Sequence, residues 1–359
     1  MSHLQAPQPA TLKQFCWRGQ VPDWVGPALE KLYGNPYATL VQFCLERDLV
    51  DANTYAAYQD DGLRTLFVFS LRDGVVEVFN EAIRLAAEDI ELFAGYIFSS
   101  IAEARVVVLR AVHIPRAMWA YPSQQHDYLE DLWIALPPNA EAYTASLSKN
   151  NRRNVRRHGK SLRAELGDYQ FGVHEKTDIN PRDVDAIIHF NHARMAGKNK
   201  TSAVDERESR HIKDLVREYG RVGVITIGGQ VCAGAIACQV SDNYFLLLMA
   251  HDPGYDQFSL GFLCCYLFIC DCIERRGAEF HFLWGDYDYK RSFLGQYSSL
   301  DKLLLYRSHG ARLRHAGLAL RATLAAARRR AVGWLKQVQR IEHPAARALL
   351  RLCRRLSHA

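Results

Sequence analysis

Apolar residues along this chain fall into two similar series. Leu66 to Leu71 (LFVFSL) and Val75 to Phe79 (VVEVF) flank Arg72-Asp73-Gly74, which predicts two strands joined by a hairpin. Ile90, Phe93, Ala94, Ile97 and Ile101 recur at helical spacing across 86–104, and Arg105 to Val112 (RVVVLRAV) reads as a buried strand. The second half repeats the order strand, turn, strand, helix, strand. Val222 to Ile227 and Val231 to Val240 flank Gly228-Gly229, Tyr244 to Met249 is a further strand, Leu260 to Arg276 a long helix, and Ala278 to Leu283 the strand after it. No residue-level identity links the halves, so the shared order predicts two structurally similar units. Between them lie a basic helix from Ser146 to Leu166, a strand from Phe171 to His174, and helices from Pro181 to about Ala196 and from Glu206 to Tyr219. The first stretch, to about Tyr58, is punctuated by Pro22, Gly26, Gly34 and Pro36 and reads as loops and helices.

The 359 residues suffice for two ordinary domains, and 48% hydrophobic against 23% charged content excludes a disordered chain. The longest apolar run, Phe262 to Cys270, falls far short of the roughly 20 residues that span a bilayer. The opening MSHLQAPQPATLKQF shows no signal peptide, so a cytoplasmic protein is expected. Cysteine placement agrees. Cys264, Cys265, Cys270 and Cys272 share one helical pattern, and Cys232 and Cys238 one strand, where a bridge would constrain nothing. They read as reduced thiols acting as small apolar residues. The net charge of +6 is uneven. Residues 311–359 carry twelve Lys and Arg against one acid, Glu342, so a mildly acidic body bears a basic tail.

The signatures GxSxG, GxxxxGK[ST], HExxH and GxGxxG are absent, which sets aside serine hydrolases, P-loop proteins and zinc hydrolases. His189 and His192 form a helical pair without a neighbouring carboxylate ligand, and no metal is expected. The stretch MAHDPGYDQFSLGFLCCYLFICDCIERRG, residues 249–277, carries more information. A strand runs through a Pro- and Gly-containing loop directly into a helix, whose free amides favour an anion. The same pattern also suits an ordinary turn with Ser259 as N-cap. The basic run from Lys149 to Arg163, with seven Lys or Arg and no acid, is either a solvated linker helix or an anion-facing one.

Three pieces carry a resemblance: LSKNNRRNVRRHGKSL (147–162), HFNHARMAGK (189–198), and the set GGQVCAGAIACQV, DPGYDQFSLGF and GAEFHFLWGDYDYKRSF, ending in Gly-Asp-x-x-Tyr-Lys at 285–290. Over 147 to about 307 the chain resembles the acyl-CoA N-acyltransferase superfamily called GNAT. The likeness is to the group joining two such folds, as in the Fem aminoacyltransferases, and within it to the BioF2-like acetyltransferase domain of cellulose- and polysaccharide-associated proteins. The resemblance implies an α/β (α+β) chain of tandem GNAT-like folds, each a mixed twisted sheet flanked by helices. It divides into a degenerate unit over 1–145, the acyltransferase unit over 146–310, and a basic helical tail over 311–359. It implies acyl-CoA as co-substrate. Gln257, Phe258, Ser259, Leu260, Gly261 and Phe262 take the place of the pyrophosphate-binding turn, although the glycine comes four residues after Gln257 and the second small residue is Phe262. Leu248, Met249 and Ala250 would bond the pantetheine as an added strand and offer an amide to the thioester oxygen. Asp286 is the implied general base, with Tyr289 and Lys290 the other catalytic candidates and Lys290 holding the acyl oxygen or an anionic substrate. His192, Arg194 and Arg157 would face the acceptor.

The expected activity is acyl transfer to an amino or hydroxyl group of a sugar or envelope-polysaccharide precursor. Aminoacyl transfer from aminoacyl-tRNA, which the basic segment 149–163 suits, is the alternative enzyme, and a non-catalytic envelope scaffold the third. The first half has no glycine after Val75 to Phe79, and Glu81, Glu88 and Asp89 crowd its helix start, so it is expected to shape the acceptor cleft without binding coenzyme A. In the tail, Leu313, Leu320, Leu324, Ala327, Ala331, Leu335 and Val338 draw an apolar stripe, with a second short helix after Pro344. This segment either packs on the acidic body or lies on an anionic membrane surface, the location favoured by an acceptor made there.

Overall fold

A computed structural model describes residues 11–340. Its elements run, in chain order, β1 (Leu12–Trp17), α1 (Val25–Tyr33), α2 (Leu40–Glu46), β2 (Asn53–Gln59), β3 (Gly62–Arg72), β4 (Val75–Val78), α3 (Ala87–Ser100), β5 (Val106–Val112) and β6 (Ser123–Ala135). Then follow α4 (Ala140–Ser146), α5 (Lys149–Leu166), β7 (Tyr169–Glu175), α6 (Pro181–Gly197), α7 (Glu206–Tyr219), β8 (Gly220–Ile227), β9 (Gln230–Val240), β10 (Asn243–His251) and α8 (Leu260–Glu274). The chain closes with β11 (Glu279–Leu283), α9 (Asp288–Ser292), β12 (Gln296–Tyr306), α10 (His309–Arg314) and α11 (Ala316–Arg340).

All twelve strands share one mixed sheet in the order β1-β2-β3-β4-β5-β12-β6-β11-β10-β9-β8-β7. Hairpins set its register. Gly228 and Gly229, at φ of 57° and 80°, turn β8 into β9, and Asp73 and Gly74, at 51° and 76°, turn β3 into β4. Asp60 and Asp61 make a third such turn between β2 and β3. Its flanking alternation is masked because β2 is buried over most of its length, so a region expected to be loops and helices contains two strands as well. Each half of the sequence lends a strand to the other: β6 lies against β11, and β12 fits between β5 and β6.

Helices cover both faces. α8 packs Leu263, Cys264, Phe268 and Cys272 into a core with Phe280 and Phe282 of β11 and Leu132 and Ile134 of β6. α6 packs Val184, Ile187 and Ile188 on the opposite face with Ile236 and Leu248. Gly234 makes that approach possible, since a Cβ there would lie 2.2 Å from the Ile187 side chain. In the first unit α3 buries Ile90, Phe93, Ala94 and Ile97 against β3, β4, β5 and β12. The eight cysteines among the described residues are all free, and Cys232, Cys238, Cys264, Cys265 and Cys272 are buried in packed elements. No helix among these residues is long and apolar enough to cross a membrane.

Candidate active site

β10 and β11 run parallel and pair only over Asn243–Phe245 against Glu279–His281. β10 continues to His251 on the edge of β9, whereas β11 breaks register between His281 and Leu283, where Leu283 takes a φ of 56°, and follows β6. The strands therefore open into a wedge. Its β10 wall, Leu246 to His251, has no strand partner on that side. In the first unit the matching parallel pair, β4 with β5, starts alike over Val75–Glu77 and Val106–Val108. There the chain returns: Ala82 N–H donates to Ala111, Leu85 N–H to His113, and His113 N–H to Ile83. Backbone fills the gap that stays open between β10 and β11.

At the mouth of the wedge, a 3-10 turn over Pro253–Phe258 leads into α8. Ser259 holds the N-cap position in the left-handed region, φ 53°, and its side chain caps no amide of α8, unlike the ordinary N-cap its sequence position suggests. The helix start is left open to an anion. His251 closes the loop, with Nε2 2.8 Å from Asp256 Oδ1 and its ring against Gly261, where a Cβ would lie 3.1 Å from Nδ1. Gly261 is thus needed first by the His251 ring.

Two helices complete the walls. Ile187, Asn191 and Arg194 lie along one face of α6, so the packing that seats Ile187 on the sheet carries Arg194 past the end of β10. Arg194 Nε is buried without a hydrogen-bond partner. From the other side, α9 is pinned to the end of β11 by Lys290, whose Nζ donates to the carbonyls of Leu283 (2.9 Å) and Trp284 (2.5 Å). Asn151 Nδ2 also donates to Ser292 O at 2.7 Å. The result is a cavity of about 310 Å³ lined by Arg194, Met249, Ala250, His251, Asp256, Ser259, Gly261, Phe262, Tyr289 and Phe293. Burial pushes the Tyr289 phenol well above its ordinary range, so the ring enters the cavity as a neutral donor.

The cavity thus unites Arg194, Met249, Ala250, Ser259, Gly261, Phe262 and Tyr289 of the sequence-derived candidates. Leu248, Phe258 and Leu260 lie alongside with side chains buried in the core, and Gln257 is exposed on the 3-10 turn. Lys290 is 2% exposed, and burial lowers its pKa to about 8. Its ammonium is spent on the end of β11 and does not face the cavity. Asp286 forms a two-bond ion pair with Arg291, at 2.8 and 2.9 Å. His192 is exposed on α6. Arg157 belongs to an open basic surface on α5 with Lys149, Arg153 and Lys160. That surface adjoins the cavity through His158, whose ring meets Phe262 edge-on at 6.2 Å. His251, Asp256 and Phe293 went unnoticed in the sequence. A histidine ending a strand just before a Pro-Gly loop is the one signal that marks the first of them.

The open wedge between parallel strands, with an uncapped helix at its mouth, lies in the part of the chain that supports an acyltransferase. Residues 149–291 match the family model described as acetyltransferase (GNAT) domain. No curated protein matches the chain. Among solved structures, FemX superposes with a TM-score of 0.56 at 8% identity, covering 81% of this chain and 96% of that one. L-PGS from Bacillus licheniformis, at 13% identity and a TM-score of 0.48, covers 81% and 93%. A tandem GNAT protein from the clavulanic acid biosynthesis pathway covers 83% and 99% with 7% identity and a TM-score of 0.38. At 8% identity the likeness to FemX is one of fold.

Proposed function

We propose that this enzyme transfers an acyl group from an acyl-CoA thioester to an amino or hydroxyl group of a sugar or envelope-polysaccharide precursor. One observation carries the donor: the unfilled edge Leu246–His251 opens onto the uncapped start of α8. Coenzyme A would supply the activated thioester. The α8 amides receive its pyrophosphate, the β10 edge bonds the pantetheine, and the amides near Met249 and Ala250 face the carbonyl oxygen as charge develops. Arg194, with its unpartnered Nε, orients the acyl or acceptor group. Asp286, which must first part from Arg291, takes the proton from the attacking amine or hydroxyl. As the C–S bond breaks, the neutral Tyr289 phenol protonates the departing sulfur. In this reading Lys290 positions α9, residues 146–310 hold the donor, and residues 1–145 shape the acceptor side. The enzyme works in the cytoplasm at the inner face of the membrane.

A second reading has a specific observation behind it. The exposed basic face of α5 beside the cavity suits the acceptor arm of an aminoacyl-tRNA. A thermal-shift series separates the two. Acetyl-CoA, longer acyl-CoAs or free CoA at a hundred times Kd should add about 2.7 kcal/mol of stability. Gly261→Val, which drives a side chain into His251, should abolish the shift. Tyr289→Phe should keep it while turnover falls about a hundredfold. No shift with any CoA species, together with salt-sensitive tRNA binding, transfers the assignment to the second reading.

A further inference from the structure

α11 docks on the body through alanine. Ala319 and Ala322 pack with Val106, Val108, Leu304 and Tyr306, Arg329 pairs with Glu130 of β6 at 2.6 Å, and Thr323 meets Gln124 at 3.2 Å. The sequence stripe of leucines is therefore not the face that packs. Leu320 and Leu324 are 59% and 58% exposed, Trp334 is 52% exposed, and Leu313 on α10 is 77% exposed. At 3.6 residues per turn, Leu320, Leu324, Ala327, Ala331 and Trp334 fall within an arc of about 80°, opposite the buried alanines. Arg321 and Arg328 flank one side of this arc and Arg330 the other. Residues 309–340 contain no acid.

We infer that the outward face of α10 and α11 is a docking surface for an anionic lipid bilayer, used while α11 stays packed on the sheet. A narrow apolar arc with Arg321 and Arg328 on one side and Arg330 on the other fits the boundary between acyl chains and anionic headgroups, with Trp334 at its edge. A protein groove deep enough for the leucines would have to neutralise cations on both sides of them, which a continuous anionic surface does without a matched shape. The rest of the molecule points the same way. Glu130 alternates with Leu132 and Ile134, so α11 covers the face of the sheet that also carries α4, α8 and basic α5. The surface gives the proposed location a physical basis and rests on no step of the chemistry.

The test is flotation of the full chain with phosphatidylcholine vesicles, with and without phosphatidylglycerol, at low and high salt. The chain should float only with phosphatidylglycerol and be released by salt. Leu320→Glu with Leu324→Glu should weaken partition about a hundredfold, and Arg328→Gln or Arg330→Gln about fivefold each. Unchanged melting temperature and an unchanged CoA shift in the same samples show that the variants are folded and keep the donor question separate. Equal flotation of the leucine variant overturns the inference, as does failure to float with either vesicle. A lipid-free dimer that the leucine variant dissociates also overturns it, because the stripe would then be a protein contact.

Discussion

The ring of His281 lies between two carboxylates, with Nδ1 2.5 Å from Asp131 Oδ2 and Nε2 3.0 Å from Glu279 Oε2, and stacks on Phe245 at 4.4 Å. Burial alone would lower its pKa, but the two acids outweigh burial and raise it. Burial would likewise raise Glu279, yet His281 and the three hydrogen bonds from Arg84 bring it down to about 2. A histidine raised in the folded state stabilises fully below its unfolded value of about 6.5 and loses that contribution as pH climbs through the folded value. His281→Gln should therefore cost about 3 kcal/mol at pH 6, as breaking a buried pair does, and less at alkaline pH. Urea denaturation across pH reads this directly, and a penalty that stays constant with pH would dismiss the imidazolium. The lone His281 in the EFHFL strand 279–283 carries no hint of this site, because Asp131 comes from a strand 150 residues earlier.

At the scale of elements, composition predicts a helix better than it predicts the face that helix buries. The tail reads as helical, and α10 and α11 extend over 309–340, while the second short helix after Pro344 lies outside the described residues. Leucine outranks alanine in hydrophobicity, so pattern reasoning would bury the leucine stripe. Close contact with the flat, branched surface of Val106, Val108 and Leu304 instead selects the small residue. Ala322→Leu should then destabilise the protein by about 1–3 kcal/mol through overpacking, while Leu320→Ser stays within about 0.5 kcal/mol. Chemical denaturation distinguishes them, and the reverse ranking would mean that the leucine face is the docked one.

For the whole molecule, the exchange of β6 and β12 binds the two units into one sheet. A fragment of residues 146–310 would lack β6, leaving β11 and β12 without the strand between them, and would lack β5 as well. It should be aggregated or unfolded by circular dichroism, whereas the full chain melts cooperatively. A soluble fragment with a sharp transition and a CoA shift would show that the second unit is autonomous. The contacts of α1 with the β9–β10 turn, Ser241 Oγ to Glu30 O at 3.0 Å and Asn243 Nδ2 to Gly34 O at 3.1 Å, add to that interdependence.

Local pattern alone determined the hairpins at 73–74 and 228–229, helices α3, α6, α7 and α8, the basic segment α5, and the resemblance that places a GNAT domain over the second half. These depend on turn residues and periodicities within one short window, where backbone sterics and burial act on neighbours. β1, β2, β6 and β12 were not legible: their partners are distant in sequence, and several of their positions are polar yet satisfied across the sheet. The candidate site divides along the same line. Met249, Ser259, Gly261, Tyr289 and Arg194 belong to motifs and could be read, whereas His251, Asp256 and Phe293 join them only in the folded chain. The opening of β10 from β11, the inward turn of Lys290, and the closure of the matching gap in the first unit were decided by tertiary structure. Each follows from which backbone groups find a partner across the sheet, and no single stretch of sequence contains both members of such a pair.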